Sequence, residues 1–272
     1  MSVNYRETIR ALVRTRYDFQ DMRIRMGNRL KKRKDGSSQD ESDPAELSDD
    51  AMPALKAAWE GSQKIEKDLE KAILAELKDV PIWEHFLRGV KGIGPCTGGV
   101  IVSEYDIHRA TTVSKLWQFT GLNSGMVKAM KREDKVIDGE RVPQFTKVDD
   151  MVRGDRRTPG FVSPFNGWLR AKMCGVLASS FIKAQAPYAM DFYYPFKERL
   201  ANSDQITEER AGNGKVKQLA WKDTRPGHRD KAAKRYMIKM FLRDLYVAWR
   251  TLEGLEVRAP YQEEYLGHKH SA

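Results

Sequence analysis

Hydrophobic side chains recur at helical spacing in the first 80 residues. Along residues 5–32 the apolar positions are mostly three, four or seven residues apart, with Arg and Lys between them. A second series with the same spacing lies between Pro53 and Pro81. Each series predicts one amphipathic helix. Two such helices joined by a polar segment predict an antiparallel coiled-coil hairpin over residues 1–80.

The segment that joins these helices, residues 33–52, is acidic. Residues 35–50 contain seven Asp or Glu and no Lys or Arg. Such a stretch has little apolar surface to bury, so it predicts a linker. The hairpin on either side of it serves as an oligomerisation arm or as a direct substrate contact, and the sequence leaves both readings open.

After residue 80 the helical pattern is shorter and interrupted. The predicted helices cover residues 115–120, capped by Ser114 and closed by Gly121, then residues 165–186, 188–200 and, after a polar loop, 229–252. Residues 122–164 are polar and basic, and they contain the one candidate β-hairpin of the chain, which turns at Asp138-Gly139. The predicted fold class is mainly α, with a helical domain over residues 81–255 and a polar tail over 256–272.

The charge of the chain points to an anionic partner. The 272 residues carry 48 Lys and Arg against 38 Asp and Glu, a formal net charge of +10. Because the linker is acidic, the remaining residues are more basic than the whole. A basic folded surface favours a polyanion such as nucleic acid.

Several other classes of protein lose support from the composition. Cys96 and Cys174 are far apart in the sequence and belong to no CxxC motif, which argues against a disulfide scaffold and a zinc ribbon. The five histidines show no metal-ligand spacing, so we predict no metal site and no cofactor in this chain. No apolar segment is long enough to cross a bilayer. These features predict a cytoplasmic, nucleoid-associated protein without a membrane partner.

The strongest local motif surrounds a glycine-containing turn. The sequence Val90-Lys91-Gly92-Ile93-Gly94-Pro95 with the glycines after it is similar to a helix-hairpin-helix. Glycines let such a turn bring backbone amides against a phosphate oxygen, and a lysine adds charge. This motif contacts the DNA backbone with little base readout. The predicted contacts are Lys91, Gly92, Ile93, Gly94, Cys96 and Thr97; an ordinary turn between two helices is the alternative.

A wider resemblance extends from this motif. The segments Gly92-Ile93-Gly94-Pro95, Ser103-Glu104-Tyr105-Asp106-Ile107, Leu116–Leu122 and Ser163–Arg170 follow one another in the chain. In this order they resemble the C-terminal domain of the DEDD-type insertion-sequence transposases, the IS-one-ten family. The likeness covers roughly residues 60–252, including the coiled coil that precedes this domain in the family.

The resemblance implies DNA transposition or recombination chemistry. In the family a serine of this domain attacks a DNA phosphodiester, and a structured RNA guides the reaction. Carried over to this chain, the nucleophile is Ser163, with Arg170 beside it. This attack forms a pentavalent phosphorane, and its negative charge is stabilised by Arg153, Arg156 and Arg157. The alternative for Ser163 is a helix cap near Pro164 or Phe165.

The chain departs from the family in its N-terminal half. The family's RuvC-like domain carries Asp-Glu-Asp-Asp metal ligands, whereas Asp18 and Asp21 lie in a helical pattern. A divalent metal is therefore expected only if a separate RuvC-like protein supplies that site. The expected partners are DNA, a structured guide RNA, such a RuvC-like protein and further copies of the chain through the coiled coil. A non-catalytic nucleic-acid-binding protein descended from a transposase stays open as the alternative.

Overall fold

The computed structural model of the chain describes residues 5–30, 51–137, 140–210 and 215–258. The chain is mainly helical, as the sequence predicts. Three predicted features lie wholly or mostly outside the described residues: the acidic linker, the Asp138-Gly139 turn and the polar tail. The chain divides into two compact units. The first comprises Met1–Glu84 with Gly94–Glu104, and the second comprises His85–Ile93 with Tyr105–Ala272.

Two long helices form the body of the first unit. Helix α1 spans Tyr5–Leu30 and helix α2 spans Ala51–Leu77. The apolar positions that define the sequence pattern supply the buried side chains, among them Ile9 and Val13 of α1 and Ile73 of α2. Burying one face of each helix stabilises both, because a helix in isolation gains little from its own hydrogen bonds.

Ion pairs connect the facing sides of α1 and α2. Arg16 Nη2 lies 2.7 Å from Glu70 Oε1, and Arg23 Nε donates to the buried carboxylate of Glu66. The paired positions rise along α1 while they fall along α2, so the helices are antiparallel. A buried carboxylate without its arginine is costly, so these pairs disfavour other registers.

A short helix, α3 (Pro81–His85), follows α2, and a 3₁₀ turn (Leu87–Gly89) follows α3. The buried side chains of α3 are Ile82 and Trp83, and Leu87 is the buried residue of the turn. The Trp83 ring is therefore part of the core of the first unit.

Helix α4 (Pro95–Glu104) packs into the first unit through two adjacent glycines. A Cβ at Gly98 would lie 2.3 Å from the Trp83 ring, and a Cβ at Gly99 would lie 2.8 Å from Val13 Cγ2. Only residues without a side chain allow contacts this close. The sequence-based division at residue 80 assigns α4 to the second domain, whereas these contacts group it with α1 and α2.

The second unit contains the remaining elements. In chain order they are α5 (Val113–Thr120), β1 (Met126–Ile137), β2 (Glu140–Arg153), α6 (Gly167–Ala171), a π-helical segment (Lys172–Leu177), α7 (Ala178–Lys183), a second π-helical segment (Ala189–Tyr193), α8 (Tyr194–Ala201), β3 (Ile206–Arg210), β4 (Val216–Ala220), a 3₁₀ turn (Trp221–Asp223) and α9 (Pro226–Leu252). Strands β1 and β2 form one antiparallel hairpin, and β3 and β4 form another.

Aromatic rings fill the core around α9. The ring of Phe241 lies 5.5 Å from those of Phe181 and Tyr188, and Tyr236 stacks on Phe196 at 4.3 Å. The sequence leaves open whether the aromatic side chains of residues 188–196 are core or a platform for unpaired bases. These ring contacts favour the core reading.

Two local predictions in this unit are wrong. Helix α5 begins at Val113 after Thr112 in the capping position, so Ser114 lies inside the first turn and is not the cap. The region expected as a polar loop before the last helix contains the β3–β4 hairpin, so Asp138-Gly139 does not mark the only hairpin of the chain. The sequence pattern does not predict β3 and β4 because a strand of five residues shows the alternation of apolar and polar side chains only weakly.

The approach of α4 to Trp83 generates a stability prediction. We expect Gly98→Ala to lower the free energy of unfolding by about 1–3 kcal/mol, because the added methyl group overlaps a buried ring. The matched control is Gly61→Ala in α2, where nothing lies within 4 Å of the added Cβ. That change should raise stability by up to about 1 kcal/mol through helix propensity. Denaturant unfolding measures both, and a stabilised Gly98→Ala variant would contradict the packing.

Candidate nucleic-acid interface

The first half of the predicted DNA-binding turn belongs to the second unit. Lys91 is exposed and Ile93 is buried. Gly92 has φ +98°, and a Cβ there would lie 2.9 Å from Phe181 Cδ1, so both its backbone and its surroundings require glycine. Its carbonyl accepts a hydrogen bond of 2.6 Å from Ser180 Oγ. These contacts fix the turn on α7.

The second half of the motif belongs to the first unit. Gly94 is exposed and Thr97 is half-buried. Cys96 hydrogen-bonds the hydroxyl of Tyr17, and burial together with this thiol raises the pKa of Tyr17. The contact of Cys96 is therefore with α1. The helix-hairpin-helix and its phosphate contacts stay predictions.

The two predicted catalytic residues meet at Phe165. Ser163 Oγ donates a hydrogen bond of 2.9 Å to the carbonyl of Phe165. The guanidinium of Arg170 lies 4.9 Å from the Phe165 ring centroid, and its Nη1 donates to the carbonyl of Asp155 at 2.5 Å. Both side chains are half-buried.

Ser163 does not cap the helix that follows it. Helix α6 begins at Gly167, and Asn166 is its cap, with Oδ1 accepting a hydrogen bond of 3.0 Å from the amide of Leu169. The capping alternative for Ser163 is therefore wrong. The helix starts later than Ser163-Pro164 because Asn166 already satisfies a free amide of the first turn.

Asp155 organises the arginines of this region. Its carboxylate accepts from Arg153 Nε at 3.1 Å and from Arg153 Nη2 at 3.3 Å. These hydrogen bonds raise the pKa of the Arg153 guanidinium. Because Arg170 binds the Asp155 carbonyl, one residue holds the end of β2 and the start of α6 together.

Two cations of α9 lie near this group without a matching acid. Arg235 and Lys239 are half-buried, and no side-chain hydrogen bond or ion pair joins either to a described carboxylate. Burial lowers the pKa of both groups, and repulsion from Arg170 on Arg235, and from Arg235 on Lys239, lowers it further. We call Arg153, Arg170, Arg235 and Lys239 with Asp155 the cation cluster.

The other predicted arginines are exposed beside the cluster. Arg157 lies against Gly167, where a Cβ would clash with its Nη2 atom. Arg156 lines a cleft of about 440 Å³ whose other basic side chains come from β3 and from the start of α9. We call this cavity the α9 cleft. The structure thus brings Arg153, Arg156 and Arg157 into one loop beside Arg170.

Sequence reasoning missed several residues of this region, including Asp155 and the basic residues of the cleft, Arg210 and Arg225. The cleft depends on the β3–β4 hairpin, and one signal for that hairpin is present in the sequence. Asn213-Gly214 is a strong turn dipeptide between two short β-prone runs. No comparable pattern marks Asp155, because its partners are distant in sequence.

Neither a metal site nor a membrane span is found in the described ranges. Within them, no group of three or more His, Cys, Asp or Glu side chains is placed to hold a metal ion. The helices described for residues 5–258 include none with the length and apolarity to cross a membrane.

Comparisons with known proteins add no relative. No protein-family profile, no curated protein and no solved structure matches this chain.

The cation cluster generates a prediction in which stability and affinity change in opposite directions. We expect Asp155→Asn to lower the free energy of unfolding by about 1–2 kcal/mol, because the half-buried Arg153 loses the carboxylate that accepts its two hydrogen bonds. The same change should tighten DNA binding by about two- to tenfold, because the surface gains net positive charge.

The control for Asp155→Asn is Asp68→Asn, which makes the same charge change at an exposed pair with Lys71 in the first unit. It should change stability by less than about 0.5 kcal/mol. Thermal melts and a DNA titration at fixed salt measure both quantities. Weaker DNA binding by the Asp155 variant would contradict the assignment of the cluster as a phosphate contact.

Proposed function

We propose that this chain is a DNA-binding protein that acts in transposition or recombination. The observation that carries the proposal is the cation cluster, where four basic side chains are accompanied by one carboxylate, which accepts hydrogen bonds from Arg153. Half-buried like charges repel one another, and an anion placed among them removes that cost. The phosphate backbone of DNA is the polyanion that a basic surface of this kind favours.

The type of contact follows from the chemistry of the cluster. Arginine guanidinium groups bind phosphate oxygens in a bidentate manner, and Arg153 and Arg170 are already oriented by Asp155. Such contacts hold the backbone and carry no base readout. We therefore expect affinity with a steep salt dependence and little sequence preference from this surface alone.

The remaining parts of the proposal rest on the sequence. The turn at residues 91–97 is proposed as a second backbone contact of the helix-hairpin-helix type. Helices α1 and α2 are proposed as a coiled coil that assembles several copies. A structured RNA and a separate RuvC-like protein with its divalent metal are the further proposed partners, and the nucleoid is the proposed location.

Neutralising the α9 cations tests DNA binding. We expect the double variant Arg235→Gln, Lys239→Gln to bind duplex DNA about tenfold more weakly and to lose about two units from the slope of log affinity against log salt. We expect its melting temperature to stay equal or rise, because two mutually repelling half-buried charges are removed.

The control for this variant is Lys64→Gln, Lys67→Gln on α2, which removes the same charge from exposed positions. It should leave affinity within about twofold. Filter binding at about 50 to 300 mM salt compares the three proteins, because the affinity for the DNA backbone falls steeply over such a range. Equal losses in both variants would mean that net charge alone attracts DNA, and the cluster would lose its role.

A second candidate function adds catalysis by Ser163. The favouring observation is that Ser163 and Arg170 both contact Phe165, the serine through the backbone carbonyl and the arginine through the ring. In the proposed step Ser163 Oγ loses its proton and forms a bond to phosphorus. The bond from phosphorus to one deoxyribose oxygen breaks, and that oxygen takes up a proton. The product is a DNA chain joined covalently to the serine.

A covalent adduct tests this step. Labelled duplex and branched DNA are incubated with the protein, with and without co-purifying RNA, and the mixture is denatured before electrophoresis. Catalysis predicts an adduct that Ser163→Ala abolishes while DNA affinity is retained. Arg170→Lys, which keeps the charge but loses the planar donor group, should reduce the adduct. DNA binding without any adduct favours the non-catalytic alternative.

A further inference from the structure

The α9 cleft has the size and lining of a site for an anionic ligand. Its volume of about 440 Å³ lies within the range of small-molecule pockets, ~300–1,000 Å³. Basic side chains from three parts of the second unit line it: Arg156 from the loop after β2, Arg210 from β3, and Arg225 with Lys231 from α9 and its cap. Four cations thus converge on one cavity from distant parts of the sequence.

Most of this charge is not neutralised by neighbouring acids. Among the described residues, no hydrogen bond or ion pair involves the side chain of Arg156, Arg210 or Lys231. Glu208 is the single carboxylate among the described residues of the lining, and its Oε2 lies 4.0 Å from Arg153 Nη1, which does not line the cleft. The cleft therefore holds an excess of positive charge directed at solvent.

Arg225 is held in place by the strand beside it. Its Nε donates to Glu209 Oε1 at 2.7 Å, and its Nη2 donates to the carbonyl of Arg210 at 2.7 Å. The carboxylate of Glu209 is nearly buried. A fixed guanidinium loses less freedom when it binds an anion, so this contact prepares the site.

The start of α9 adds a favourable backbone field. Gly227 and His228 are in the first turn of this 27-residue helix and line the cleft. The N-terminus of a helix carries partial positive charge, and Gly227 lets a ligand approach the backbone closely. The helix end supplements the four basic side chains.

His228 reports on the charge in the cleft. Burial lowers its pKa, Arg235, Arg225 and Lys231 lower it further, and Glu209 opposes them. The other charged groups that line the cleft are Glu208, Arg210 and Arg156. An anion bound among these cations favours the protonated imidazole, so binding should raise the pKa of His228.

We propose that the α9 cleft is a phosphate-binding site. The proposal deepens the proposed function, because a nucleic-acid strand is one source of the phosphate group. A free phosphate or a mononucleotide is the other source, and all of them present the same oxygens to Arg156, Arg210 and Lys231.

The test follows the imidazole resonances of His228 by NMR, assigned with His228→Asn. The full-length protein is titrated with inorganic phosphate, with AMP and with a single-stranded oligonucleotide, each against chloride at equal ionic strength. We expect a saturable shift and a raised pKa of His228. We also expect Arg210→Gln, Lys231→Gln to weaken binding at least about tenfold; both side chains are exposed, so the fold should persist.

The control is Lys217→Gln, Lys222→Gln, which removes two exposed charges outside the cleft lining. It should leave phosphate binding unchanged within about twofold. Saturation by the oligonucleotide at lower concentration than by phosphate or AMP identifies the nucleic-acid strand as the source. Saturation by phosphate or AMP alone supports the site and identifies a free ligand.

The proposal is overturned if His228 shows no saturable response to any of the three ligands, or if the control variant loses as much affinity as the cleft variant. These results are independent of duplex binding by the cation cluster. The cleft can therefore fail while DNA binding through Arg235 and Lys239 stands, and phosphate binding in the cleft can persist if DNA binding fails.

Discussion

The arrangement of the second unit's basic residues depends on one acidic residue, Asp155. Its carboxylate binds Arg153 through two hydrogen bonds, and its carbonyl binds Arg170. The residue thereby joins the end of β2 to α6, and its negative charge also acts on Arg235 and Lys239 of α9. A single carboxylate cannot compensate four cations, so the fold retains a local excess of positive charge.

Partial burial of this positive charge is costly to the folded chain. Burial, and after it repulsion from Arg235, lowers the pKa of Lys239, so the folded state binds this proton less tightly than the unfolded chain does and stability rises as the pH rises towards 10.5. His228 follows the same sign at lower pH, because its pKa falls below 6.5: its contribution is lost as the unfolded imidazole takes up a proton. Groups that oppose folding in this way are typical of binding sites.

Periodic patterns made the helices predictable, and long-range contacts limited the rest. The spacing of apolar residues such as Ile9, Val13 and Ile73 was enough to predict α1 and α2, because burial of one face decides where a long helix forms. The serine segment was harder. Ser-Pro is a common cap, yet Asn166 fills that role. The hydrogen-bond partners of Asp155 come from β2 and α6, and its charge also acts on cations of α9, so only the tertiary structure shows these residues together.

The basic side chains of the second unit are of two kinds: some are held by hydrogen bonds, and others extend into the α9 cleft. The two kinds differ in the entropy that they lose when a ligand binds. Arg153, Arg170 and Arg225 are fixed by hydrogen bonds to acids or carbonyls, whereas Arg156, Arg210 and Lys231 extend into an open cleft. A guanidinium group that is already fixed loses little side-chain entropy when it binds an anion. A long basic side chain that extends into the cleft must be ordered on binding, and this ordering costs entropy. In the proposed phosphate site of the α9 cleft, the fixed Arg225 therefore sets the position of the anion, and Arg156, Arg210 and Lys231 are ordered when it binds.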